Sequence, residues 1–325
     1  MSERRVAPIL AGDVPTLFEA PVGGPADGNV VLLGVPYEGV KVRDRHTLLP
    51  ESAAGAPPDS IYFRTGADLA PDAIRRQSVY YSIEHEGGVA EELGGRPLTD
   101  ALRLVDAGNH DLGGAEQVAE AAARAGAVTV AMGGDHLVPL PLLRGLQRGR
   151  PRRLGLLVLD SHYDLHEAPP LWAGSQWRTA FAEGLLDPRD VILVGMRGVR
   201  HSPHERAAAA ALGIEVVPLH AIDSQGLEAV RATIARRLAQ VDAVYVSLDI
   251  DVVDPAFCPA QKYPDAAGLT ARETLALLRA GFEAAPVAGF DLCCLAPQYD
   301  EGGRGALFAA RCALEAVYAC ARRQD

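Results

Sequence analysis

Several marks of particular protein classes are missing from this chain. Nowhere in its 325 residues does an uninterrupted apolar run approach the ~18 residues of a membrane span. The opening stretch, MSERRVAPILAGDVPTLFEAPVGG, holds two arginines but no continuous apolar segment, so no secretory signal is expected. Positive charge is in deficit. With 31 Lys and Arg against 42 Asp and Glu, the net charge is −11, which argues against nucleic-acid or anionic-membrane partners. Cysteines number only five, at 258, 293, 294, 312 and 320. An odd, late cluster fits a reduced cytoplasmic chain rather than a disulfide scaffold. No segment of roughly 20–50 residues repeats, and no G-x-x-x-x-G-K-[ST] phosphate loop is present.

What is present is a globular composition, 48% hydrophobic and 22% charged. Apolar, β-branched runs predict strands at 29–35, 102–107, 127–132, 154–160, 190–196, 214–218, 242–250 and 287–293. Ala-rich periodic stretches between them predict helices at 69–80, 114–125, 139–148, 175–186, 204–212, 225–240, 270–285 and 303–323. Strands apolar on both faces and alternating with helices indicate a doubly covered parallel sheet. Closure into an eight-unit barrel is the competing topology. No linker divides the chain, so one domain over 1–325 is expected, with 1–28 as an N-terminal extension. The least regular region, 36–66, follows the first strand and should be an enlarged loop over the ligand crevice.

Chemistry concentrates at three strand ends: Met132-Gly-Gly-Asp-His136, Asp160-Ser-His-Tyr-Asp164 and Ser247-Leu-Asp-Ile-Asp251-Val-Val-Asp254-Pro. In a parallel sheet these ends line one crevice. Strand alternation would turn Asp160, His162 and Asp164 one way, and Asp249 with Asp251 likewise. So many carboxylates and imidazoles in one place repel unless protons or cations neutralise them. Oxygen-rich sites with one or two imidazoles suit Mn²⁺, with Fe²⁺, Ni²⁺ or Zn²⁺ as alternatives.

These three motifs together resemble the ureohydrolase family of arginases and agmatinases. LGVPYEG, RTGADLAPDAIR, VDAGN, GLTARE and GFDLCCLAPQYD resemble further family segments, from about residue 29 to the C-terminus. The resemblance implies an arginase-like three-layer α/β/α fold with an eight-stranded parallel sheet. It also implies a cytoplasmic homo-oligomer, a trimer or hexamer, acting on a small molecule. Two Mn²⁺ ions bridged by a hydroxide are implied as well. His136, Asp160, Asp164 and Asp249 would hold one ion, and Asp160, His162, Asp249 and Asp251 the other. The related single-zinc deacetylases keep only part of this set.

Three departures from the family pattern stand beside these matches. The family's proton-transfer His, in an [SG]-x-x-H-G context, aligns with Trp177, and tryptophan cannot shuttle protons at neutral pH. His166 and Glu167 are then the nearest candidates for proton transfer. The Glu that holds the guanidinium aligns with Cys294, which offers no fixed negative charge. The loop usually written P-G-T-G-T-P reads Pro259-Ala-Gln-Lys-Tyr263-Pro264, bulky and cationic. Trp177, Tyr263 and Cys294 are therefore expected to line a rebuilt substrate pocket. The reading that follows is a binuclear metal hydrolase cleaving a C–N bond of a modified guanidine, amidine or amide, and not arginine or agmatine. The alternative is a catalytically silent metal-binding paralogue.

Overall fold

A computed structural model describes residues 9–10, 13–39, 42–44, 47–48, 64–83, 88–168, 171–199 and 201–322. Eight of its strands form one sheet: β1 (Val30–Val35), β2 (Leu104–Asn109), β3 (Val128–Gly133), β4 (Leu154–Leu159), β5 (Val191–Val194), β6 (Glu215–Val217), β7 (Ala243–Asp249) and β8 (Val287–Cys293). Their spatial order is 2-1-3-8-7-4-5-6, and every neighbouring pair is parallel. The sheet is open, with β2 and β6 at its edges, so the barrel alternative is overturned. Strands β1, β4, β5, β7 and β8 are buried along their whole length, as expected where helices cover both faces.

The covering helices are α1 (Ala70–Ser78), α2 (Leu112–Ala125), α3 (Pro139–Gly149), α4 (Gln176–Ala182), α5 (Pro203–Leu212), α6 (Leu227–Arg237), α7 (Ala271–Ala284) and α8 (Arg304–Arg322). Their ends are set by local chemistry. Asp111 caps α2, and Ser202 with Glu205 and Thr270 with Glu273 form capping boxes on α5 and α7. Helices α2 and α3 approach closely because α3 carries glycines on the contact face. A Cβ at Gly145 would lie 2.2 Å from the Glu116 carbonyl oxygen, and one at Gly149 2.3 Å from that of Glu120. The expected helix over 225–240 begins at Leu227, and a separate turn, His220–Gln225, precedes it across Gly226 in a positive-φ conformation.

Three two-stranded ribbons, Ile9–Leu10 with Val14–Pro15, Val42–Asp44 with Thr47–Leu48, and Val89–Ala90 with Arg96–Pro97, are too short for periodicity to reveal. The described part of the N-terminal extension is packed into the domain. Leu17 and Phe18 are fully buried, and their amides donate to Asp106 and Ser78. Asp106 in turn holds the buried Arg75 of α1 through two hydrogen bonds of 2.9 Å. Most of the 36–66 loop, including Arg45, His46 and the Arg43 side chain, lies outside the described residues. Its two described ends flank the carboxyl ends of the central strands, where Gly39 donates to Asp135 and Arg64 donates to the Pro259 carbonyl.

Candidate metal centre

The sheet order places β3, β8, β7 and β4 side by side, and their carboxyl ends carry all the chemistry the sequence singles out. His136 follows β3, and Asp160, His162 and Asp164 follow β4. Asp249 ends β7, and Asp251 sits in the 3₁₀ turn Ile250–Val252. The convergence is real, but strand alternation is not its cause. Only Asp249 lies in a strand. The chain after Leu159 turns instead, and Asp164 takes φ +52 to bring its carboxylate back to the cluster, a conformation that costs a non-glycine residue ~1–3 kcal/mol.

His136 Nδ1 lies 3.0 Å from Asp160 Oδ2, 2.9 Å from Asp164 Oδ2 and 3.4 Å from Asp249 Oδ2. His162 Nδ1 lies 3.1 Å from Asp251 Oδ2 and 3.5 Å from Asp160 Oδ1. Two groups of possible ligands result, His136–Asp160–Asp164 and Asp160–His162–Asp251, and both contain Asp160. One carboxylate common to two adjacent groups is what a pair of neighbouring cations requires. The donor set of imidazole nitrogen and carboxylate oxygen fits Mn²⁺ and its neighbours. The buried Asp160 Oδ2 and Asp251 Oδ2 face only imidazole nitrogens, at 3.0 and 3.1 Å, and such buried oxygens need a proton or a cation to satisfy them.

An outer layer of groups holds these side chains in place. Ser247 Oγ lies 2.9 Å from His136 Nε2 and donates to Asp291 Oδ1 at 2.9 Å. Because Ser247 spends its proton on Asp291, it accepts from His136 Nε2–H, which fixes the ring with Nδ1 toward the carboxylates. Gln176 donates to Asp164 at 2.6 Å, and the Ser161 hydroxyl donates to Asp251 at 2.6 Å. The charges are strongly coupled. Burial works to lower the His136 pKa, yet hydrogen bonds to Asp160 and Asp164 and the charge of Asp249 drive it well above the usual imidazole value. His162 is raised in the same sense, its burial outweighed by Asp251 and Asp160. Burial and the neighbouring Asp251 and Asp160 charges push Asp249 well up. Asp251, despite its burial, is brought down to about 2 by His162 and Ser161. In the absence of metal, protons take the place of cations.

Above this floor is a cavity whose wall carries Gly39, Asp135, Trp172, Ala173, Lys262, Tyr263 and Cys294. Cys294 and Tyr263 are therefore where the sequence places them. Cys294 takes φ +67, while Cys293 turns away toward Asp291. Trp177 is not on the wall. It is 1% exposed and packs edge-to-face against His136, with ring centroids 5.5 Å apart. The aromatic on the wall is Trp172, and Ala173 beside it precedes Gly174, the only glycine in this segment. Ala173-Gly174 on the wall is thus a second candidate for the H-G context, beside Trp177, which is not at the cavity. Sequence reading missed it because an irregular loop offers no periodicity to set register. His166 stacks on Trp172 at 5.1 Å, with its Nε2 3.4 Å from Glu205, and Glu167 is 87% exposed. Neither is brought to the cavity wall. Ser247, Gln176 and Asp291 were also not identified as site residues, although Ser247 stands two residues before Asp249 on the same strand face.

The Arginase family model matches residues 52–319. The chain is 33% identical to a guanidinopropionase of Pseudomonas aeruginosa, covering 93% of this chain and 90% of that one. It is 31% identical to a proclavaminate amidinohydrolase of Streptomyces clavuligerus, covering 98% and 97% respectively. Among solved structures, the proclavaminate amidinohydrolase from Streptomyces clavuligerus superposes with a TM-score of 0.78 at 29% identity, covering 95% of this chain and 97% of that one. A formimidoylglutamase from Bacillus subtilis shares the fold, with a TM-score of 0.77 at 18% identity over 98% and 96% of the two chains. With its eight-stranded parallel sheet and its strand-end carboxylates, the chain belongs to the arginase family, hydrolases of non-peptide C–N bonds.

Proposed function

We propose that this protein is a binuclear metal-dependent hydrolase that cleaves a C–N bond of a modified guanidine, amidine or amide-like small molecule, and that arginine and agmatine are not its substrates. The observation that carries this reading is a full ligand set beneath a wall that lacks the two guanidinium-handling groups. His136, Asp160, His162, Asp164, Asp249 and Asp251 would hold the ions, Mn²⁺ first, with Asp160 and Asp249 common to both. When bound, two such ions supply a water of lowered pKa and a Lewis acid for the scissile group.

The protein's own groups do the rest. Ser247 and Asp291 keep His136 in one tautomer. Gln176 holds Asp164, and the aromatic side chains of Trp172 and Tyr263 line the cavity. With Ala173 and Cys294 on the wall, the described residues at those two positions offer neither an imidazole for the leaving nitrogen nor a carboxylate for a guanidinium. A silent paralogue is the alternative, favoured by the same two replacements. We further take the protein to be a cytoplasmic homo-oligomer, a trimer or hexamer.

The experiment is metal analysis of Mn²⁺-reconstituted protein together with a guanidine, amidine and amide library read by product mass. Two ions per chain with turnover on a library member is expected. At most one ion per chain defeats the binuclear assignment, and two ions with no turnover favours the silent paralogue.

A further inference from the structure

The chain has only two lysines, Lys41 and Lys262. One of them, Lys262, is 4% exposed and lines the cavity above the metal ligands. Its position is built, not incidental. Gln261 forms an antiparallel bridge with Leu295, and the Lys262 amide donates to the Cys294 carbonyl at 3.0 Å. The Gln261 side-chain amide donates to the carbonyls of Ile250 and Val253 at 3.2 and 2.7 Å. The loop carrying the ammonium is thus laced to the strand end that carries the thiol.

The Lys262 ammonium lies 2.8 Å from Glu38 Oε1, and Glu38 Oε2 accepts from the amides of Gly66 and Ala67. An ammonium has three N–H groups, more than Glu38 takes up. The other wall carboxylates also have partners, and the charge of Asp135 acts on the Lys262 ammonium beside that of Glu38. Asp135 accepts from Gly39 at 2.7 Å and from Leu137 at 3.0 Å, while Asp164 and Asp249 belong to the metal floor. Among the described residues, a guanidinium entering this cavity would meet a fixed ammonium beside carboxylates that already have partners.

We propose that Lys262 sets the charge selectivity of the site, admitting a reacting group that carries no positive charge, such as a ureido or carboxamide group, whose oxygen takes a hydrogen bond from the ammonium. The proposal rests on the function proposed above and narrows its substrate class. Hydrolysis of such a group breaks the C–N bond, forms C–O from water, and returns the leaving nitrogen as an amine.

The test is calorimetric binding of N-butylurea and N-butylguanidinium to the full-length Mn²⁺-loaded protein, two probes of equal length that differ in charge. The urea should bind at least roughly tenfold tighter. Lys262→Met should erase that ratio, Lys262→Arg should retain it, and Glu38→Gln, which removes one of the two carboxylates that offset the ammonium, should widen it. Equal or tighter binding of the guanidinium, no binding of either probe, or an unchanged ratio in Lys262→Met and Glu38→Gln overturns the proposal. An unchanged ratio with a lowered melting temperature would mark Lys262 as a structural partner of Glu38 alone. Should Lys262→Met fail to fold, Glu38→Gln decides. Metal stoichiometry and turnover, which test the function itself, are separate from this ratio.

Discussion

The floor and the wall of the cavity differ in where their residues come from. Every ligand of the floor lies within five residues of the end of β3, β4 or β7. The wall adds loop residues to strand ends, with Trp172 and Ala173 before α4 and Lys262 and Tyr263 between β7 and α7, beside Gly39, Asp135 and Cys294 just after β1, β3 and β8. On the reading proposed above, the floor would hold the metal and the wall would set the substrate. Strand ends in one sheet constrain each other through the hydrogen-bond ladder, whereas a loop can exchange residues without disturbing the core.

The largest effect expected is on the floor. Asp160→Ala or Asp249→Ala should empty both metal positions and lower turnover by ~10³-fold or more, whereas Asp164→Ala should retain one ion. Metal content and kcat measured side by side would break the comparison if all three behaved alike. Next comes the outer layer. Ser247→Ala or Asp291→Asn should weaken metal affinity by about 10–100-fold without changing stoichiometry, because His136 loses its fixed tautomer while its Nδ1 remains in place. An unchanged affinity would show that the hydrogen-bond relay does not orient the ligand.

The wall should respond in specificity. Ala173→His with Cys294→Glu restores both guanidine-handling groups and should give weak urea release from agmatine, with neither single change sufficient. Trp177→His should give none and should instead destabilise the protein by ~3 kcal/mol, since it removes a fully buried ring. Robust urea release from Trp177→His would return that residue to the wall.

The smallest effect is in pH. His136 and His162 have folded pKa values raised above the ordinary 6.5. Their contribution to metal-free stability is therefore complete below that value and fades as pH rises through the folded one. Metal binding must displace their protons, so metal affinity rises with pH. The gain in melting temperature on adding Mn²⁺ should accordingly widen from roughly pH 6 to pH 8, and a constant gain would show that the imidazoles do not exchange protons for metal.

Legibility followed the same division. All eight strands of the sheet lie at their expected positions within two residues, because continuous apolar β-branched runs have few alternatives. The convergence of His136, Asp160, His162, Asp164, Asp249 and Asp251 was legible because short motifs at strand ends survive any uncertainty in loop register. Trp177 was misplaced for the opposite reason. Between Asp164 and Gln176 no regular element counts residues, and only the folded loop shows that Ala173 meets the cavity. His166 and Glu167 are close in sequence to the ligands, yet one stacks beneath Trp172 and the other faces solvent.

What the sequence by itself determined, then, is the alternation of strands and helices, the carboxylates and imidazoles placed at strand ends and the thiol of Cys294 beside them. These are local properties, set by propensity, periodicity and spacing within a few residues. The order 2-1-3-8-7-4-5-6, the turn at Asp164 that closes the cluster and the pairing of Lys262 with Glu38, 224 positions earlier in the chain, were decided by tertiary structure. The physical reason is range. A buried ammonium must find a carboxylate, and a strand must find its neighbours, among partners that the linear chain does not rank.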